Sequence, residues 1–92
     1  MAKAMLVKMY YELDERESLS SLLASFKVFI HRQKGLGYHK ENYGNFVRLV
    51  SKLTMTNPYD PEAMQKLRQE VEAVNLLTER EWVLEQLEQL PA

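Results

Sequence analysis

Apolar residues recur along this chain at three- and four-residue steps rather than in strand-like alternation, so the pattern predicts helices throughout. In the first helix, from about Ala2 to Leu13, the stripe is Ala2, Met5, Leu6, Met9, Tyr10 and Leu13. In the second, Glu15 to Gln33, Leu19, Leu22, Leu23, Phe26, Phe29 and Ile30 form the apolar face, flanked by the small residues Ser20, Ser21, Ala24 and Ser25. The third, Lys40 to Met55, presents Tyr43, Phe46, Val47, Val50 and Leu53. Met64, Leu67, Val71 and Val74 make the seam of a fourth that starts at Pro61. Trp82, Val83, Leu87 and Leu90 are the apolar positions of a fifth, Glu79 to Leu90, ended by Pro91.

The boundaries carry their own signals. Asp14 is placed to cap the second helix, with acidic residues following where the helix dipole favours them. Gly35 suits the left-handed conformation that ends helices, and Leu36 is placed to pack back on Ile30. The strongest signal is the corner from Leu53 to Ala63: Pro58 stops one helix, Asp60 caps the next, and Pro61 takes the first helical position, where no N–H is needed. Thr78-Glu79-Arg80-Glu81 matches a capping box and predicts a break near Leu77–Thr78; without it, the last two helices merge into one of roughly 30 residues. Gly44, inside the third helix, costs about 0.5–1 kcal/mol relative to alanine; it is either tolerated on a solvated face, the favoured reading, or present because another backbone comes close. Short connections between helices make sequential neighbours antiparallel. The expected fold is therefore all-α, an up-down array of about five helices in one domain.

Composition narrows this little. The chain has 92 residues, 46% apolar and 27% charged, as an ordinary globular domain does. The absence of cysteine removes disulfides and thiolate chemistry and fits a reducing compartment, so a cytoplasmic location is expected. No apolar run approaches the roughly 18 residues of a membrane span, and the N-terminus does not read as a signal peptide.

Charge changes the picture more. Between Lys27 and Thr56 there are six cations against Glu41 alone, a net +5, whereas Asn57 to Ala92 has eight acids against three cations, a net −5. Either the two halves face one another or the central segment offers a basic surface to an anionic partner.

No constellation of catalytic residues emerges. His31 and His39 flank the Gly35 turn with only Glu41 nearby, which is short of a zinc ligand set. Gly35-Leu36-Gly37 has Lys40 where a dinucleotide fingerprint needs its third glycine, and no strand precedes it. The acidic groups Asp14/Glu15/Glu17 and Glu79/Glu81 read as helix-start residues, and Ser18, Ser20, Ser21 and Ser25 have no histidine at a motif spacing. No metal or cofactor is expected. Phe26, Phe29, Tyr43 and Phe46 interleave with basic residues, but they belong to the buried stripes and are not free to stack on bases. Tyr11 and Trp82 lie off the narrow stripes, an aromatic excess that suits either core edges or an interface, including a weak dimer.

Two resemblances follow from these residues. Asn57-Pro58-Tyr59-Asp60-Pro61-Glu62-Ala63, with Val50, Leu53 and Leu67 around it, resembles the junction between two tetratricopeptide repeats. Phe46 and Arg68 depart from that pattern, where it wants alanine and glycine. Tyr10-Tyr11, Ser25-Phe26, Lys40 to Phe46 and Glu81 to Glu85 together resemble the C-terminal region of large uncharacterised bacterial proteins with tetratricopeptide-like helices. That resemblance implies a part of a longer helical chain and carries no catalytic residues.

The expected function is a non-enzymatic interaction or scaffold module that binds another protein segment or the remainder of its parent chain. Lys27, Arg32, Asn42, Asn45 and Arg48 are the expected partner-binding positions. The alternative is a nucleic-acid-binding domain that uses the basic segment 27–52.

Overall fold

The computed structural model describes residues 2–33, 35 and 37–90, without the side chains of residues 2 and 38. Five helices follow one another, α1 (Ala2–Glu12), α2 (Arg16–Arg32), α3 (Tyr38–Met55), α4 (Pro61–Ala73) and α5 (Arg80–Gln89), and there is no strand among the described residues. The fold is all-α. α3 is its axis, packing against α2, α4 and α5, while α1 lies on α2 and α4 packs on α5. The extents of 39 × 28 × 17 Å describe a slab, so a large share of each helix faces solvent.

The corner between Leu53 and Ala63 forms as its residues dictate. Thr56 closes α3 with its backbone N–H and its hydroxyl, both donating to the Lys52 carbonyl. The Asn57 side chain then accepts from the Tyr59 N–H at 3.0 Å, a local turn that Asn favours. Asp60 accepts from the Ala63 N–H at 3.2 Å with Pro61 at the first helical position, which satisfies one of the otherwise unpaired donors of α4.

The core is built from α2 (Leu19, Leu23, Phe26, Ile30), α3 (Phe46, Val47, Leu49, Val50, Leu53), α4 (Met64, Leu67, Val71) and α5 (Val83, Leu87), with Leu77 between the last two. Leu22, Phe29, Tyr43, Val74, Trp82 and Leu90 are half-buried at its edge. Leu49 is fully enclosed although it lies outside the expected stripe of α3, because helices pack on α3 from more than one side and widen its buried arc. Each such large apolar side chain contributes about 1.5–3 kcal/mol on burial.

α1 turns a different face inward from the one expected. Ala4 and Val7 are buried, whereas Met5, Leu6, Met9 and Leu13 are exposed. This helix is apolar on nearly all sides, so periodicity alone does not select its face. Small residues at 4 and 7 allow close packing on α2. The lysines at the margins find partners across the fold, Lys3 Nζ 5.0 Å from the centre of the Phe29 ring and Lys8 Nζ 3.0 Å from Glu79 Oε1. Tyr11 stands edge-on to Trp82 at 5.4 Å, and Trp82 also meets Phe46 at 6.2 Å, so this aromatic group is an edge of the core.

Three boundaries differ from expectation. Asp14 does not cap α2; it is left-handed (φ 57°) and closes α1, with Glu15 N–H bonded to the Tyr10 carbonyl at 2.9 Å and Asp14 N–H to that of Tyr11 at 3.1 Å. This is the glycine-type helix ending, occupied by aspartate. At the other end of α2, Gln33 is extended and closes the helix before Gly35, which is itself left-handed (φ +82°); the expected Leu36–Ile30 contact lies outside the described residues. The Thr78–Glu81 capping box does not form. The break is real, but α4 stops at Ala73, Glu79 is the left-handed N-cap of α5 (φ 59°), and no side chain caps α5. Arg80 instead reaches back to the end of α4, where its guanidinium donates to the carbonyls of Val71 (2.6 Å), Val74 and Asn75 (3.1 Å).

Candidate partner-binding groove

With Leu19, Leu23, Phe26 and Ile30 turned inward, α2 presents Ala24, Lys27, Val28, His31 and Arg32 on its outer flank. In α3 the buried set leaves Lys40, Gly44, Arg48, Ser51, Lys52 and Met55 along the facing side. The start of α2 lies beside the end of α3, since Leu19 and Leu23 share a depression with Ser51, Thr54 and Met55. The end of α2 lies beside the start of α3, since Val28, His31 and Arg32 share one with Lys40 and Gly44. The two helices are therefore antiparallel, and an open groove of about 960 Å³ runs along their outer seam.

Its floor is apolar and its rims are basic. Val28 is 49% exposed and Met55 84% exposed, and Gly44, near the Lys40 end of the α3 wall, has nothing within 4 Å of the place a side chain would occupy. Lys27 and Arg32 stand on the α2 side, and Lys40, Arg48 and Lys52 on the α3 side; no carboxylate lines the groove among the described residues.

Part of this charge is answered from α4. Lys52 Nζ lies 2.8 and 3.0 Å from the two Glu70 oxygens, and Arg48 also donates to that carboxylate. The hydrogen bond from Lys52, followed by that from Arg48, holds the Glu70 carboxyl below its ordinary range despite opposing desolvation. Lys27, Arg32 and Lys40 are exposed and have no ion-pair partner among the described residues. Five cations against Glu70 leave the groove at +4. The two readings of the charge asymmetry thus divide along α3, whose α4 side is paired and whose α2 side is open. Lys34 lies outside the described residues.

The five expected partner-binding residues do not converge on one face. Lys27, Arg32 and Arg48 line the groove. Asn45 is half-buried and donates to the Leu76 carbonyl at 2.8 Å, which anchors the α4–α5 connection to α3, and it accepts from Arg48 at 3.4 Å. Asn42 is half-buried one turn earlier on the same helix. Lys40, one of the cations of the basic segment, also lines the groove, as do Val28, Gly44 and Met55, which the sequence did not single out as partner-binding positions. The available signal was that Val28 and Met55 are apolar residues off their helices' buried stripes.

A second apolar surface is the α1 stripe of Met5, Leu6, Met9 and Leu13, beside which Leu6 and Tyr10 face Leu22, Ser18, Ser21 and Ser25 of α2 across a shallow depression. Among the described residues, no group of three or more His, Cys, Asp or Glu side chains is placed to hold a metal ion. No described helix is long and apolar enough to cross a membrane. No protein-family model, no curated protein and no solved structure matches the chain.

Proposed function

We propose that this chain is a non-enzymatic interaction or scaffold module, which docks a segment of another protein, or of its own parent chain, in the groove between α2 and α3. The observation that supports this reading is the solvent-open apolar floor of Val28, Gly44 and Met55 between two rows of cations. Apolar side chains exposed together inside a concave, charged rim are what a docking surface needs, since the floor supplies burial and the rim supplies registration. The likeness to tetratricopeptide hairpin stacks, the place at the end of a longer bacterial chain and the cytoplasmic location belong to the same proposal.

Nucleic-acid binding draws on the same cations, but its other requirement is poorly met. Phe26 and Phe46 are enclosed in the core, Tyr43 packs on Phe26 with ring centres 5.9 Å apart, and Phe29 lies under Lys3.

The test is retention of partners from a lysate of the source cell on immobilised wild-type chain and on Val28→Asp, both checked for helicity by circular dichroism. The proposal expects a protein retained by the wild type and lost with Val28→Asp. Equal retention on both, or retention of nucleic acid alone, overturns it.

A further inference from the structure

We infer that the occupant of the α2–α3 groove is an amphipathic helix of about four turns whose single apolar stripe is bordered by carboxylates on both sides; this rests on the groove being a docking site. Three features of the groove select that occupant.

The first is shape. From Lys40 to Met55 the α3 wall runs 16 residues, roughly 22 Å at 1.5 Å per residue, which matches a helix of about 15 residues laid alongside it. Gly44, one turn in from Lys40, has open space above it, and Ala24 and Ser51 also present small side chains to the seam. Small residues on both walls of the seam let a helix backbone approach closely, whereas an extended strand would find no sheet edge here and leave its own N–H and C=O groups unpaired.

The second is the floor. Val28 on one wall and Met55 on the other are largely exposed apolar side chains, and methionine adapts its shape to whatever packs against it. A helix with apolar residues at three- and four-residue spacing covers both at once.

The third is charge. Lys27 and Arg32 on one rim and Lys40 on the other have no ion-pair partner among the described residues, and no carboxylate lines the groove to compete with an incoming acid. A helix bordered by glutamates on both edges meets both rims, and one bordered by lysines is repelled by both.

The experiment uses the full chain and fluorescein-labelled synthetic helices of about 18 residues: one with a leucine stripe bordered by glutamate, the same stripe bordered by lysine, a scrambled glutamate peptide, and DNA oligonucleotides. Binding is read by anisotropy. The Glu-bordered helix is expected to bind at least about tenfold more tightly than the other peptides, and less tightly as salt is raised. Lys27→Glu/Arg32→Glu/Lys40→Glu is expected to reverse the preference, so that the Lys-bordered helix binds and the Glu-bordered one does not. Gly44→Trp, which places bulk where space is open, is expected to abolish binding to both. Lys66→Glu, at an exposed position of α4 away from the groove, is expected to leave affinity unchanged. Equal affinity for the two bordered helices, a preference that the triple variant does not reverse, or binding of DNA alone overturns the inference. A lysate protein lost with Val28→Asp but retained by the triple variant overturns it while leaving the docking site standing, and the absence of any such protein together with failed peptide binding removes both.

Discussion

Arg80 Nη1 lies 2.6 Å from the carbonyl oxygen of Val71, so the first residue of α5 closes the last turn of α4. The same guanidinium also bonds the Val74 and Asn75 carbonyls. A helix end leaves several carbonyls without intrahelical partners, and one planar cation meets that of Val71 in the last turn, that of the C-cap Val74 and that of Asn75 just beyond. The break between α4 and α5 is held by this residue rather than by the Thr78 box. Arg80→Ala is expected to lower the unfolding free energy by about 2 kcal/mol, and Arg80→Lys to recover less than half of that, because an ammonium lacks the fork. Urea denaturation followed by circular dichroism measures both, and a change below about 0.5 kcal/mol for Arg80→Ala contradicts the assignment.

Asp14 and Glu79 are the described non-glycine residues in the left-handed region. Among the described residues the Asp14 side chain pairs with Arg16 alone, at 3.2 Å, with both side chains at least three-quarters exposed, so that pair contributes little. Asp14→Gly removes the backbone cost and is expected to raise stability by about 1 kcal/mol. Glu79→Gly gains less, because it also gives up the 3.0 Å contact with Lys8. Thermal midpoints of the two variants measured side by side order them.

The inward face of α1 is decided by substitutions on its two sides. Val7→Ala opens space in a fully enclosed position and is expected to cost about 2 kcal/mol. Met9→Gln and Leu13→Gln, on the exposed stripe, are expected to change stability by less than about 0.5 kcal/mol each. The reverse ranking in urea would restore the face that periodicity favours.

Glu70 sets an acid limit. Its native carboxyl titrates below its ordinary value of 4.5 because Lys52 and Arg48 bond the ionised form. A native value below the unfolded one means the stabilisation is complete above about pH 4.5 and disappears as pH falls through the lower native value. Glu70→Gln should therefore be less stable than the wild type near neutrality. The difference should shrink below pH 4.5, and denaturant midpoints taken across that range test it.

The corner at Leu53–Ala63 was legible in its turn, its Asp60 cap and its Pro61 start because those interactions are local; the closure of α3 by Thr56 and the Asn57 turn add detail the sequence reading did not name. The stripes of α2 and α4 were legible for a similar reason, since each helix buries one face that its own spacing defines. Local rules failed where a distant partner competed. Glu79 adopts a costly conformation with Lys8 beside it, Arg80 serves the helix before its own, and Asn45 also holds the Leu76 carbonyl, a contact its helical position did not announce. The Lys8–Glu79 and Asn45–Leu76 pairings join residues far apart in sequence, and those of Arg80, though near in sequence, run backward across a helix break that no capping rule marks.

The candidate site divides the same way. Sequence alone determined that the chain is all-helical, that it turns at Pro58, and that positive charge gathers between Lys27 and Thr56, since propensity, turn chemistry and charge belong to residues individually. Tertiary structure decided which of those charges are spent, because only packing α4 on α3 brings Glu70 to Arg48 and Lys52 and leaves Lys27, Arg32 and Lys40 open beside Val28 and Met55. It also decided which side of α1 is inward, since a helix apolar on nearly all sides takes its orientation from what it packs against.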